Sequence, residues 1–247
     1  MKKFTMSFAA AAILLTTAIT LSGCTGGVTP GPTKSHVASA GEGRVLTNAE
    51  AKKLLPTAAQ VGDDWTVADD SAFASSDVLS SATFTPANCA FSSNDGTLKD
   101  VPITTQTASG TAEGQYNLAS SSKDAPSLDV HLVTVSVKSY PASVDTKQLD
   151  AVSARLAECS TFTAGESGGI NAKFAVQDVS NPAYGTKSLQ FGLKGSISVF
   201  SVLVNSLQIV DGHTVVSISQ VGVDSIDEAL AARVAKAVTA NLVTVTK

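Results

Sequence analysis

Histidine is scarce: His36, His131 and His213 are the only three in 247 residues. They stand far apart, and no Cys-x-x-Cys or His-Glu-x-x-His spacing occurs, so the chain offers neither a metal centre nor a recognisable catalytic base. His36 and His213 read as solvated, and His131 as a surface or satisfied strand residue. Charge is also thin, at 15% of residues, with 17 Lys and Arg against 21 Asp and Glu. Nucleic acid needs clustered basic side chains to neutralise phosphates, so it is excluded as a partner. The longest apolar stretch, 8–21, is interrupted by threonines and falls short of the roughly 20 residues that span a bilayer. Aromatics make up only 5%, while Ser, Thr and Val abound, which favours sheet.

Lys2 and Lys3 precede that apolar stretch in MKKFTMSFAAAAILLTTAITLSGCTGG, the layout of a secretory signal. Its end, Leu21-Ser22-Gly23-Cys24, resembles the lipobox of bacterial lipoproteins, in which the cysteine thiol receives a diacylglyceryl group before cleavage on its N-terminal side. The alternative is an ordinary signal whose cleavage leaves Cys24 as a free thiol, a liability outside the cell. Each buried acyl methylene contributes about 0.8 kcal/mol, and two chains hold a protein on a bilayer stably. The expectation is a cell-membrane lipoprotein, anchored at Cys24 on the extracytoplasmic face, with residues 1–23 removed. Of the 17 basic residues 15 then face 21 acidic ones, a net charge near −6, so an electrostatic membrane patch is not expected.

Residues 24–44 mix Gly, Pro, Ser and Thr without hydrophobic period and read as a flexible tether. About 20 such residues span on the order of 25 Å, enough to clear the lipid headgroups. Residues 45–247 form one domain-sized segment with no repeat and no second linker.

Thr47-Asn-Ala-Glu50 is a capping-box pattern that predicts a short helix carrying Leu54 and Leu55. Strands are predicted at 81–85 and 103–107. In SLDVHLVTVSVKSY, Leu128, Val130 and Leu132 alternate, and Val133, Val135 and Val137 continue on the other parity. A bulge near 132 would keep both sets on one core face. A helix opens at Asp145 with Leu149, Val152, Leu156 and Cys159 on one side. Ile170, Ala172, Phe174 and Val176, then Leu189, Phe191 and Leu193, alternate as strands. Asp211-Gly212 marks a hairpin between 196–210 and 213–221. Ser225-Ile-Asp-Glu228 predicts the cap of a final helix whose Ile226, Leu230, Val234, Val238 and Leu242 recur every four residues. The whole reads as an α+β fold, a mainly antiparallel sheet flanked by helices.

With Cys24 assigned to lipid, Cys89 and Cys159 remain in an oxidising compartment and are expected to pair. The alternative is two buried free thiols. The closed loop of about 70 residues would contribute roughly 4 kcal/mol. GESGG, 165–169, matches Gly-x-Ser-x-Gly, but the following alternation from Ile170 is a strand, whereas a nucleophile elbow needs a helix there. Ser167 is therefore read as part of a glycine-rich hairpin loop rather than as the nucleophile of a hydrolase. Asn94-Asp95-Gly96 reads as a turn. The pairs Asp63-Asp64 and Asp69-Asp70 beside Trp65 read as solvated charges, with a weak cation site as the alternative.

The lipobox, the helix ending in AECSTFT (157–163), the glycine-rich turn, NPAYGTKS (181–188) and the amphipathic final helix together resemble actinobacterial sensor-domain lipoproteins, relatives of the extracellular sensor domain of the mycobacterial receptor kinase PknH. That resemblance implies an antiparallel sheet flanked by helices, and a cleft as the place for a ligand. It offers no catalytic residue. The kinase domain carries two disulfides where this chain can form one. The functional expectation is a non-catalytic lipoprotein that binds or senses a small ligand or an envelope partner. A carrier of an apolar molecule such as a lipid is the alternative, and a serine hydrolase using Ser167 is the third.

Overall fold

A computed structural model describes residues 43–67, 82–91, 98–118, 131–165, 171–197 and 200–246. Cys24, His36, Asp69-Asp70, Asn94-Asp95-Gly96, Leu128, Val130 and Ser167 lie outside these residues.

Nine strands form one sheet: β1 (Trp65–Val67), β2 (Thr83–Thr85), β3 (Gly110–Leu118), β4 (His131–Ser139), β5 (Thr161–Gly165), β6 (Asn171–Ser180), β7 (Lys187–Ile197), β8 (Phe200–Asp211) and β9 (Thr214–Val223). Their spatial order is β1-β3-β4-β9-β8-β7-β6-β5-β2, and every neighbouring pair is antiparallel. Helices α1 (Asn48–Lys52), α2 (Ala58–Val61), α3 (Lys147–Glu158) and α4 (Leu230–Thr246) cover it. The α+β reading and its antiparallel sheet stand.

The sheet is buried on both faces, and this overturns the expected bulge in β4. Leu132 packs in one core with Leu149, Val152 and Leu156 of α3. Val133, Val135 and Val137 pack in the other, against Leu230, Val234, Val238 and Leu242 of α4. Register with β9 runs unbroken from His131 to Ser139, so consecutive buried residues simply point to opposite cores. The irregularity lies instead in β6, between Val176 and Val179.

Caps explain where helices begin. Thr47 and Glu50 close the expected capping box on α1, and Leu54 is buried just beyond it. Thr57 and Gln60 form a second box on α2, a signal equally legible as Thr57-Ala-Ala-Gln60. The other two expected caps shift. Thr146 makes no side-chain cap, and Asp145 Oδ1 accepts from the Lys147 amide at 3.0 Å instead. The chain leaves β9 through Asp224, whose φ of 61° and bond from the Ser201 amide (2.9 Å) turn it away from a helix. Asp227 then accepts from the Ala229 amide at 3.0 Å, and α4 starts at Leu230 rather than at Ser225.

Two strand expectations change. Segment 103–107 pairs with no strand, although Ile103 is buried. The run 196–210 is divided, with Ile197 closing β7 opposite Phe200 of β8. The β8–β9 hairpin turns at Gly212, whose φ of 56° favours glycine. Cys89 and Cys159 form a disulfide, with Cα atoms 5.7 Å apart, that ties the end of α3 to a short 3-10 turn, Ala87–Cys89. Beside it Phe84, Phe91, Phe162 and Phe174 pack ring to ring, centroids 5.2–6.4 Å apart.

Candidate functional site: a polar band across the sheet

On the α3 face, the middle of the sheet is polar where a core is expected. Cross-strand register lines up Gln115 of β3, Thr134 of β4, Ser219 of β9 and Ser206 of β8 in one row. The next row on the same face is Glu113, Ser136, Ser217 and Gln208. Both rows end on apolar β7 residues, Phe191 and Leu189. Asn117, Leu132, Val221 and Val204 border the band on one side, and Thr111, Lys138, Val215 and Val210 on the other. Helix α3 packs over β6 and β7, beside the band's deep end.

Exposure falls steadily along the band. Glu113 is exposed, Gln115, Thr134, Ser136 and Ser217 are half-buried, and Ser206 and Gln208 are fully buried. The deep end is internally satisfied: the Ser217 hydroxyl donates to Gln208 Oε1 (2.5 Å), and Gln208 Nε2 donates to Ser206 Oγ (3.2 Å). At the open end Gln115 Nε2 donates to Glu113 Oε1 at 3.3 Å. Two atoms between them, Gln115 Oε1 and Ser219 Oγ, have no partner among the described residues, although Ser219 is only 8% exposed. An unmet buried polar atom costs about 1–3 kcal/mol, so a bound molecule that met these two would gain there; Asp178 Oδ1 and, on the α4 face, Gln220 Oε1 and Nε2 are in the same condition.

The histidines stand elsewhere. His131 begins β4 opposite Gly222, half-buried on the α4 face. His213 is half-buried too, and it is engaged rather than solvated. Its Nδ1 lies 3.0 Å from the Tyr140 carbonyl and its Nε2 3.4 Å from Ser143 Oγ. With Nδ1–H donating to that carbonyl, Nε2 accepts from the Ser143 hydroxyl. A hydrolase triad needs a carboxylate in the orienting place. The nearby Asp211 instead accepts from the Thr186 hydroxyl at 2.9 Å, and burial raises its carboxyl pKa. Gly165 pairs with Asn171, so GESGG connects two antiparallel strands and lacks the strand-to-helix turn of a nucleophile elbow. Asp63 and Asp64 are exposed beside the buried Trp65. Among the described residues no three His, Cys, Asp or Glu gather as metal ligands, and no helix is long and apolar enough to cross a membrane.

On the opposite face the Asp178 carboxyl pKa is raised, first by burial and then by the neighbouring charge of Glu228.

The comparison with solved structures then decides the architecture. The chain shares its fold with the extracellular domain of PknH from Mycobacterium tuberculosis. The two superpose with a TM-score of 0.55 at 14% identity, covering 81% of this chain and 98% of that domain. An uncharacterised protein of Mycobacterium smegmatis, the Rv0999 ortholog, aligns at 13% identity and a TM-score of 0.40, over 85% of this chain and all of that one. No family model and no curated protein matches the chain.

Proposed function

We propose that this chain is a lipoprotein held at Cys24 on the outer face of the cell membrane, whose domain binds or senses a ligand on the polar band of the α3 face. The band carries the reading. Eight side chains on four strands share one stretch of sheet, and two of their atoms are buried without a partner. A sheet face built for stability alone would be apolar there, as the α4 face is along the row of Val135, Ile218 and Leu207 and the row of Val137, Val216 and Ile209. Likeness of fold to an extracellular domain supports an extracytoplasmic place for it. The lipobox and the tether at 24–44 support the anchor. We read the role as non-catalytic: at His213 the Tyr140 carbonyl stands where a triad would have its carboxylate, and the band's one carboxylate, Glu113, is exposed and accepts from Gln115 Nε2.

An apolar carrier would need a hollow core, whereas large side chains such as Phe174, Phe191, Leu189 and Leu207 fill the described cores. Labelled palmitate fed to the producing cells tests the anchor. Incorporation into the wild type and none into Cys24→Ala is expected, and the processed wild type recovered unmodified from the culture fluid would contradict it.

A further inference from the structure

We propose that the ligand of the polar band is an uncharged saccharide chain; the inference rests on the band being the binding site. Of the eight side chains in its two rows, seven are hydroxyls or primary amides: Thr134, Ser136, Ser206, Ser217, Ser219, Gln115 and Gln208. Each of these both donates and accepts hydrogen bonds. An anionic ligand calls for groups that only donate, chiefly Arg or Lys; neither occurs in the two rows, and one lysine, Lys138, stands in the bordering row. The one charged member, Glu113, sits at the open end and repels anions. A cation would be met by carboxylates, and Glu113 is single there. The chemistry matched by a field of ambivalent neutral groups is a field of ambivalent neutral groups, and sugar hydroxyls are of that kind.

The unpartnered atoms sharpen the match. Gln115 Oε1 requires a donor, and Ser219 Oγ can serve or be served. They lie in the same row, on strands two apart, with the half-buried Thr134 hydroxyl between them. One ligand hydroxyl group after another along that row satisfies all three.

Dimensions point to a chain rather than a single ring. The exposed and half-buried members stand on β3, β4 and β9, so two strand spacings of about 4.8 Å make the reachable band about 10 Å long, and two rows make it about 7 Å wide. The apolar members of the borders, Leu132, Val221 and Val204 on one side and Val215 and Val210 on the other, would meet the carbon-bound hydrogens of sugar rings. An extended peptide is the less apt occupant, because peptides join sheets through main-chain bonds at an edge strand, and here the polar groups stand on the face.

The test uses the full lipidated protein in detergent micelles. It is applied to arrayed neutral oligosaccharides of glucose, galactose, mannose, arabinose and N-acetylglucosamine, beside uronate oligosaccharides and neutral extended peptides. A fluorescent fatty acid is titrated separately. The wild type is expected to bind at least one neutral oligosaccharide. Thr134→Val and Ser219→Ala should each weaken that binding by about ten-fold, the scale of one lost hydrogen bond. Thr134→Ser, which keeps the hydroxyl, should retain it, and thermal melts verify that each variant folds. Loss in Thr134→Ser as large as in Thr134→Val overturns the assignment, as does a wild type that binds no neutral oligosaccharide. Binding confined to uronates or peptides, and sensitive to Thr134→Val, overturns the saccharide while leaving the band as a binding site. Uptake of the fatty acid alone overturns both.

Discussion

The two faces of the sheet are built from the same strands and serve different ends. On the α4 face Val133, Val135, Val137, Leu207, Ile209, Val216 and Ile218 meet the stripe of α4, and the packing is mainly apolar, with the buried Gln220 and Asn205 as its polar members in the row of Val133. On the α3 face those strands present Thr134, Ser136, Ser206, Gln208, Ser217 and Ser219, and the apolar core withdraws to the borders and to β6 and β7. Alternation along a strand makes this division possible, because each backbone position serves one face only. Beneath α4 the core gathers under the four-residue repeat of Leu230, Val234, Val238 and Leu242, while the α3-side core gathers around the disulfide and the phenylalanine cluster. The other face places polar side chains at its centre, which is what the proposed recognition would use.

That division is open to attack from several sides. Removing the disulfide with Cys89→Ala and Cys159→Ala should have the largest effect, roughly 4 kcal/mol from the 70-residue separation it closes. Denaturant unfolding of the oxidised and double-variant proteins measures it. A loss under 1 kcal/mol would mean that the cover of the α3 face needs no staple.

Ile218→Ala, in the apolar face at 1% exposure, should cost about 3 kcal/mol through the cavity it leaves. Thr134→Val, one strand away on the polar face, should stay within about 1 kcal/mol in the same assay. Equal losses at the two positions would erase the contrast between the faces.

The smallest effect concerns pH. The Arg44 guanidinium, then the Thr47 amide and hydroxyl, bind the Glu50 carboxylate and lower its pKa to about 2. A carboxyl whose folded pKa lies below its ordinary 4.5 contributes fully above 4.5, and the contribution fades as pH falls towards 2. Carboxyl shifts followed by NMR should place the Glu50 midpoint near 2. A midpoint near 4.5 would show that the strap from Arg44 to α1, which covers the apolar face, is not formed.

Much of the architecture was legible in the sequence, and the band was not. The Thr47–Glu50 box, the α3 stripe ending at Cys159, the turn at Gly212 and the strand alternations at 171–193 are local signals, and the structure contains each of them. The expected bulge at 132 failed because alternation was read with a single buried face in mind. The start of α4 failed because Asp224 takes a left-handed turn that spacing alone does not announce. No local pattern singles out Ser206, Gln208, Ser217 or Ser219. Only register, set by contacts between strands distant in the chain, places them beside Gln115 and Thr134. The trace that sequence does hold is the pattern Val-Thr-Val-Ser-Val at 133–137 echoed by Val-Ser-Ile-Ser-Gln at 216–220. Two strands with hydroxyls at every second position can form a polar row once paired.

Native mass spectrometry of the full protein, purified from the cells that produce it, tests the role of the band most directly. The wild type is expected to carry a bound species that is absent from the doubly substituted Thr134→Val, Ser219→Ala protein, with melting temperature and disulfide unchanged. The same species retained at equal occupancy in that variant would contradict the account.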